Sequence, residues 1–159
     1  MIIRTARIGD AAGVAVIWNH EIREGVTTFT TAEKTEMGLD ADIADRGDAF
    51  LVAEEAGELL GFATFFQFRG GPGYAHTMEY TIHLAPRARG KGAGRQLLSA
   101  LEDRARAADV HILVAGISGE NAAGVAFHER MGFEHVGRMP EVGRKFDRWM
   151  DLVLMQKVL

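Results

Sequence analysis

The stretch Arg87-Ala88-Arg89-Gly90-Lys91-Gly92-Ala93-Gly94-Arg95 lies between a predicted strand and the strongest predicted helix of the chain. Alternating glycines let a backbone approach a ligand closely, and consecutive N–H groups at the start of a helix attract an anion. The basic side chains of this stretch add positive charge beside those amides. We therefore expect a site for a phosphate-bearing ligand here, with a glycine-rich turn carrying solvated arginines as the plainer alternative.

Two common nucleotide-binding motifs do not match this stretch. Ala85 stands where a P-loop requires its first glycine, and Gly92 follows Lys91 where that motif requires Ser or Thr. Arg95 occupies the place of the third glycine in the dinucleotide-binding pattern G-x-G-x-x-G. The phosphate-bearing ligand is therefore expected to bind to a different fold.

The composition is that of an ordinary globular protein. The 159 residues are 47% hydrophobic and 25% charged, with a net charge of -4 and no cysteine. Disorder, disulfides, thiolate metal sites and a cysteine nucleophile are thereby excluded. The acidic balance argues against binding to nucleic acid or to an anionic membrane. We expect a single domain over residues 1–159, in the cytoplasm, without a signal peptide, a membrane span or a metal site.

Hydrophobic periodicity predicts an α/β (α+β) domain with the element order β-α-α-β-β-β-α-β-α-β-β. The predicted strands are 2–7, 49–55, 59–68, 77–84, 111–115, 133–138 and 149–158. The predicted helices follow Asp10 as an N-cap, cover 33–46, follow Gly94, and cover 121–131 with Gly132 as a C-terminal cap.

Arg89-x-x-Gly92-x-Gly94 resembles the pyrophosphate loop of the GNAT acetyltransferases, and residues 121–133 resemble that family's second CoA segment. The resemblance implies a central mixed, mostly antiparallel sheet flanked by about four helices, with acetyl-CoA as cosubstrate. It also implies a set of cofactor-binding residues, namely Ile82, His83, Leu84, Arg89, Gly90, Lys91, Gly92, Ala93, Gly94, Arg95, Asn121 and Arg130.

Three further segments resemble one branch of that family, the phosphinothricin and methionine sulfoximine N-acetyltransferases. They are Trp18-Asn19-His20, the run from Phe68-Arg69 to Tyr74-x-x-Thr77-x-Glu79, and residues 141–151. The resemblance implies a small amino-acid-like acceptor and a homodimer. Departures from the branch at positions 68, 80 and 81 fall where the acceptor is expected to bind.

Amine acetylation needs a base for the amine and a proton for the departing thiolate. Glu79 lies inside an apolar strand, where burial raises a carboxyl pKa toward that of a useful base, and the resemblance also makes it the catalytic glutamate. A solvent-facing or arginine-paired Glu79 is the alternative. His128 stands where many family members have a tyrosine, so it is either the general acid or a residue that packs beside CoA.

The acceptor site is predicted around Arg69, whose guanidinium can hold a carboxylate with two hydrogen bonds. A solvated arginine at a strand end is the alternative. The predicted substrate-binding residues are Arg69, Gly70, Gly71, Glu79, Tyr80 and Thr81.

The predicted function is acetyl transfer from acetyl-CoA to the amine of a small amino-acid-like acceptor. One alternative is the same fold acting on a protein N-terminus, a lysine or a polyamine, and another is a CoA-binding module without turnover. An acidic chain with an arginine at the acceptor site favours an anionic small molecule over a polycation.

Overall fold

The computed structural model describes residues 1–159, which form a seven-stranded sheet with helices on both faces. The strands are β1 (Ile2–Thr5), β2 (Phe50–Glu55), β3 (Glu58–Gln67), β4 (Thr77–Leu84), β5 (Ile112–Ser118), β6 (Glu134–Lys145) and β7 (Arg148–Val158). The helices are α1 (Ala11–Glu24), α2 (Glu36–Arg46), α3 (Ala93–Ala107) and α4 (Ala122–Arg130). The sheet order is β1-β2-β3-β4-β5-β7-β6, and only the β4–β5 pair is parallel. The predicted mixed, mostly antiparallel sheet with four helices is confirmed.

The sheet separates two hydrophobic cores. On one face, Val14 of α1 and Leu39 of α2 pack with the buried ring of Phe62. On the other face, the leucines Leu97 and Leu101 of α3 are fully buried. These are the apolar positions that helical periodicity predicts to face inward, and each such leucine contributes about 2–5 kcal/mol relative to alanine.

Helix α1 begins after Asp10 as predicted but without the expected side-chain cap, and α2 begins at Glu36 rather than at residue 33. The Asp10 carboxylate does not cap α1, because it accepts the Arg7 N–H at 2.8 Å and pairs with the Arg4 guanidinium at 2.7 Å. In α2 the cap is Thr35, whose hydroxyl accepts the Gly38 N–H at 3.1 Å. The Arg4–Asp10 pair depends on how β1 lies against the start of α1, and this arrangement is not visible in the local sequence pattern.

The last two strands are longer than predicted and form one hairpin. β6 extends from Glu134 to Lys145, and the two-residue turn Phe146-Asp147, with φ of 52° and 58°, leads directly into β7. Pro140 interrupts the alternation that predicts a strand, but it falls where the register shifts between Met139 and Gly143. A proline is tolerated at such a bulge on an edge strand. The predicted end of this strand at residue 138 is therefore wrong.

Candidate active site

The parallel strands β4 and β5 separate after three residue pairs. They are paired only between Thr77–Glu79 and Ile112–Val114, whereas β4 continues along β3 to Leu84 and β5 continues along β7 to Ser118. Backbone groups of residues 80–84 that point toward β5 have no strand partner there, and they border a cavity of about 1120 Å³. Such groups are available to hydrogen-bond an extended ligand.

The glycine loop reaches this cavity at the N-terminus of α3. Gly90 and Gly92 have φ of +73° and +82°, and a Cβ on either would have no atom within 4 Å, so the space in front of the loop is open. A Cβ on Gly94 would lie 3.5 Å from Leu84 and 3.7 Å from Phe127, in close helix packing. The first amides of a helix lack intrahelical acceptors and carry the positive end of its dipole. The loop is thus suited to hold a diphosphate.

Most of the residues that the sequence predicts for the site line this one cavity. They are Glu79, Tyr80, Thr81, Ile82, His83, Leu84, Arg89, Gly90, Gly92, Gly94, Arg95, Asn121, His128 and Arg130. These residues are up to 51 positions apart in the sequence, and in the structure they border the opening that forms where β4 and β5 separate.

The other predicted residues do not line the cavity. Lys91 is exposed at the tip of the glycine loop, and Ala93 is buried beneath it. The Arg69 guanidinium lies 5.7 Å from the centre of the Tyr74 ring, in the loop with Gly70 and Gly71, outside the cavity. The predicted contact of this loop with the acceptor thus has no support from the cavity lining.

Side chains of β4 alternate between the two faces of the sheet. His83 and Glu79 lie opposite Phe62 and Phe66 of β3, and Phe62 belongs to the core under α1 and α2. Tyr80 belongs to the opposite core, under α3. The structure therefore places Tyr80 away from Glu79, on the side of the glycine loop and α4, although the sequence analysis grouped them as acceptor residues.

The Glu79 carboxyl group is partly buried and forms no ion pair. Burial raises the pKa of Glu79 above 4.5, and no hydrogen bond or neighbouring cation counteracts that shift. Of the two alternatives given by the sequence, pairing with an arginine does not occur. A partly desolvated carboxylate without a partner is available to accept a proton from a ligand.

His128 and Tyr80 form a buried hydrogen-bonded pair beside the cavity. The Nδ1 atom of His128 lies 2.6 Å from the Gly124 carbonyl, so Nδ1 carries the proton and Nε2 accepts the Tyr80 hydroxyl. Burial lowers the pKa of His128 and raises the pKa of Tyr80. Asn121 caps the same helix, because its side-chain oxygen accepts the Gly124 N–H at 2.9 Å.

Glu21 of α1 is a second carboxylate in the cavity, and it was not predicted. It is 6% exposed, accepts the Thr27 hydroxyl at 2.6 Å and pairs with the Arg89 guanidinium at 2.9 Å. Burial raises the pKa of Glu21, but the Thr27 hydrogen bond and the Arg89 charge outweigh it, so the net shift is downward. Burial also lowers the pKa of the adjacent His83 to about 4, so His83 is neutral at pH 7.

The β6–β7 hairpin holds the segment that follows α1. The Lys145 ammonium, on a residue 3% exposed, donates to the carbonyls of Gly25 at 2.6 Å and Thr28 at 2.8 Å. A Cβ on Gly143 would lie 2.5 Å from the Phe29 ring, so the glycine allows this close approach. The hairpin segment 141–151, which the sequence analysis singled out, thereby fixes one wall of the cavity.

Several lining residues were not predicted from the sequence. They are mainly Glu21, Thr27, Thr28, Thr30 and Lys34 beside α1, and Ser99, Glu102 and Lys157 beside α3. The segment Trp18-Asn19-His20, which resembles the branch, lies close to the first group but contains none of its members. Glu102 follows the polar pattern of an outward helix position, yet it is 4% exposed and pairs with Lys157 at 2.9 Å.

No helix is both long enough and apolar enough to cross a bilayer. No three side chains of His, Asp or Glu are grouped as metal ligands.

Known proteins similar to this chain include enzymes that are named as acyltransferases and acetyltransferases of amino acids. An L-amino acid N-acyltransferase of Escherichia coli is 40% identical over 98% of this chain and 92% of its own length. An L-methionine sulfoximine/L-methionine sulfone acetyltransferase of Pseudomonas paraeruginosa is 42% identical over 97% of this chain and 92% of its own length.

A solved structure of a related acetyltransferase has the same fold. A phosphinothricin acetyltransferase from Sinorhizobium meliloti, in complex with acetyl-CoA, superimposes with a TM-score of 0.93 and 31% identity over 99% of this chain and 88% of that one. The sequence model of the acetyltransferase (GNAT) family matches residues 15–133. With the glycine loop, the separated strands and this match, the chain belongs to the GNAT family of acetyltransferases.

Proposed function

We propose that the protein transfers the acetyl group of acetyl-CoA to the amine of a small amino-acid-like acceptor, of the kind named for its relatives: phosphinothricin or methionine sulfoximine or sulfone. The observation that carries the proposal is the unpaired Glu79 carboxyl group, placed where β4 leaves β5. The cavity beside it continues to the glycine loop, so one opening can hold both substrates.

In this proposal the glycine loop and the α3 N-terminus hold the diphosphate of acetyl-CoA, and the free backbone groups of residues 80–84 hold its extended arm. The amine nitrogen attacks the thioester carbon, and its excess proton moves to Glu79, directly or through water. The C–S bond breaks with its electron pair on sulfur, which takes a proton from the Tyr80–His128 pair. Water returns a proton from Glu79 to that pair, which balances the reaction.

His128 has no free nitrogen in this arrangement, because Nδ1 donates to the Gly124 carbonyl and Nε2 accepts the Tyr80 hydroxyl. If His128 takes part in proton transfer, it does so through Tyr80. Two variants test the pair: a proton-transfer role of both residues predicts lower kcat in Tyr80→Phe and in His128→Gln, and lower kcat in Tyr80→Phe alone would leave His128 with a packing role.

We also propose that two chains pair through the β6–β7 hairpin. β6 is an edge strand, and its hairpin exposes Val142, Phe146 and Trp149. Exposed apolar side chains grouped on one hairpin favour a protein interface. Analytical ultracentrifugation tests this, with a dimer expected for the wild type and a monomer for Trp149→Glu.

The decisive experiment measures thiol release from acetyl-CoA with a panel of amines. The chain has no cysteine, so a thiol reagent reports CoA alone. Turnover with L-phosphinothricin or L-methionine sulfoximine, but not with lysine peptides or polyamines, is the expected result. Turnover only with peptides or polyamines would assign a different acceptor. Acetyl-CoA binding without turnover on any amine would indicate a binding module.

A further inference from the structure

Gly116 interrupts the buried strand β5 beyond the point where β4 and β5 separate. It is exposed and lines the cavity, whereas its neighbours Ala115 and Ile117 are 2% and 4% exposed. A glycine inside a strand weakens it, and such a glycine often marks a place where a ligand or another backbone approaches closely. The absence of a side chain at this position therefore points to a close neighbour.

Neither the backbone conformation nor the packing of the protein requires a glycine at position 116. Its φ lies outside the positive range in which glycine is favoured, unlike the φ of Gly90 and Gly92. A Cβ on Gly116 would lie 3.5 Å from Leu152 Cδ1, an ordinary contact, and beyond its chain neighbours it would meet no other atom within 4 Å. By contrast, a Cβ on Gly61 of β3 would lie 2.8 Å from a backbone carbonyl oxygen. The missing Cβ of Gly116 thus leaves space in the cavity rather than relieving a clash within the fold.

This space lies on the same face of the sheet as the Glu79 carboxyl group. Val114 is paired with Glu79 in parallel register, so the two side chains share one face, and Gly116 is two residues beyond Val114 on that face. Two residues correspond to about 7 Å of strand. An extended side chain of about four atoms, attached to the carbon that carries the amine, spans a similar length. An acceptor whose amine is at Glu79 can therefore place the end of its side chain beside Gly116.

The border of this space is aliphatic. Leu154 of β7 is paired with Gly116 across the sheet, and Leu152 supplies the one atom that a Cβ would contact. Both leucines are partly exposed. Apolar surface that is left partly open beside a cavity favours contact with methyl and methylene groups of a ligand.

We propose that Gly116 is a specificity-determining residue, because the space left by its missing Cβ holds the end of the acceptor's side chain against Leu152 and Leu154. This inference rests on the proposed function, in which Glu79 receives the amine proton. The acceptor is favoured over the arm of acetyl-CoA as the occupant, because the glycine loop lies with Tyr80 on the opposite side of the sheet.

The test is Gly116→Ala, which adds one methyl group, with two acceptors that differ by one methylene: L-methionine sulfone and S-methyl-L-cysteine sulfone. We expect the KM for L-methionine sulfone to rise about tenfold. The KM of the shorter acceptor, or its Ki as a competitor, should change by less than about twofold, since its side chain ends before Gly116. The Kd of acetyl-CoA should stay unchanged. The unfolding temperature should stay the same or rise, because alanine suits a strand better than glycine.

Gly9→Ala, at an exposed glycine outside the cavity where a Cβ meets no atom within 4 Å, is the matched control. An unchanged KM for L-methionine sulfone in Gly116→Ala, or an equal rise for both acceptors, would overturn the assignment. A weaker Kd for acetyl-CoA would assign the space to the CoA arm, and a lower unfolding temperature would assign the glycine to packing. Either result would overturn the inference alone. A wild type that turns over no amine would overturn the proposed function and this inference with it.

Discussion

Glu79 and Glu21 border the same cavity, and their surroundings shift their pKa values in opposite directions. Burial raises the pKa of Glu79, and nothing compensates. Burial also raises that of Glu21, but the Thr27 hydroxyl and the Arg89 guanidinium lower it by more. The two carboxyl groups therefore differ in their partners: Glu21 has Thr27 and Arg89, and Glu79 has none.

This difference supports the proposed chemical role for Glu79 and a structural role for Glu21. An unpaired, partly buried carboxylate destabilises the fold but remains able to take a proton. A paired carboxylate stabilises the fold, and its low pKa makes it a poor base. Glu79 therefore fits the role of general base, and Glu21 fits a role in holding the segment after α1 against the glycine loop.

The largest predicted effect is on turnover in Glu79→Gln. We expect kcat to fall by about 10²–10⁴-fold, because glutamine cannot accept the amine proton, while the Kd of acetyl-CoA stays unchanged. Thermal unfolding should show no loss of stability at pH 7, since the substitution removes an uncompensated buried charge.

Glu24→Gln, at an exposed position of α1, is the control for that experiment. Full turnover in Glu79→Gln would remove Glu79 from the mechanism. A large loss of stability would show that Glu79, like Glu21, has a structural partner.

The next largest effect is expected on stability, when the contact between the β6–β7 hairpin and the segment that follows α1 is removed. Lys145→Met has similar length but leaves the Gly25 and Thr28 carbonyls without a buried donor. We expect a loss of about 2 kcal/mol in the free energy of unfolding, measured by urea denaturation, and a higher KM for the acceptor. The exposed neighbour Arg144→Met is the control. If the Kd of acetyl-CoA weakens as much as the acceptor KM rises, the hairpin does not act on the acceptor wall alone.

Glu21→Gln should show the opposite pattern to Glu79→Gln. We expect a loss of about 1 kcal/mol in stability at pH 7, with kcat nearly unchanged. Because the folded-state pKa of Glu21 is lowered, its contribution is complete above pH 4.5 and is lost as the pH falls below that value. Wild type and variant should therefore converge in stability in acid. Divergence in acid would mean that the pKa of Glu21 is raised, not lowered, in the folded protein.

The residues that could be predicted from sequence are those whose local pattern is sufficient. The glycine loop requires residues that tolerate positive φ angles and a position directly before a helix. The sequence shows both features between residues 87 and 95. The buried strand around Glu79 is likewise marked by its apolar neighbours. The α/β fold class was accessible for this reason, whereas the set of cofactor-binding residues came from the resemblance to the family and stays a prediction.

The acceptor side depends on contacts between distant segments. Lys145 reaches carbonyls 117 and 120 residues away, and Arg89 reaches Glu21 across 68 residues. No local spacing signals such pairs. Arg69 was predicted at the acceptor because its guanidinium can hold a carboxylate and because the segment resembles the branch, but whether its loop turns toward the cavity is decided by tertiary structure.

The smallest effect tests the Glu21–Arg89 pair itself. The Arg89 side chain is half exposed, so solvent screens the pair, and we expect Arg89→Gln to reduce the free energy of unfolding by only about 0.5 kcal/mol. In a double-mutant cycle with Glu21→Gln, the coupling energy should have the same size, since the pair is one interaction. Loss of Arg89 also removes the cation that lowers the pKa of Glu21, which then becomes more like Glu79. Additive effects across the cycle would show that Thr27 alone accounts for the lowered pKa, and that Arg89 serves only the glycine loop.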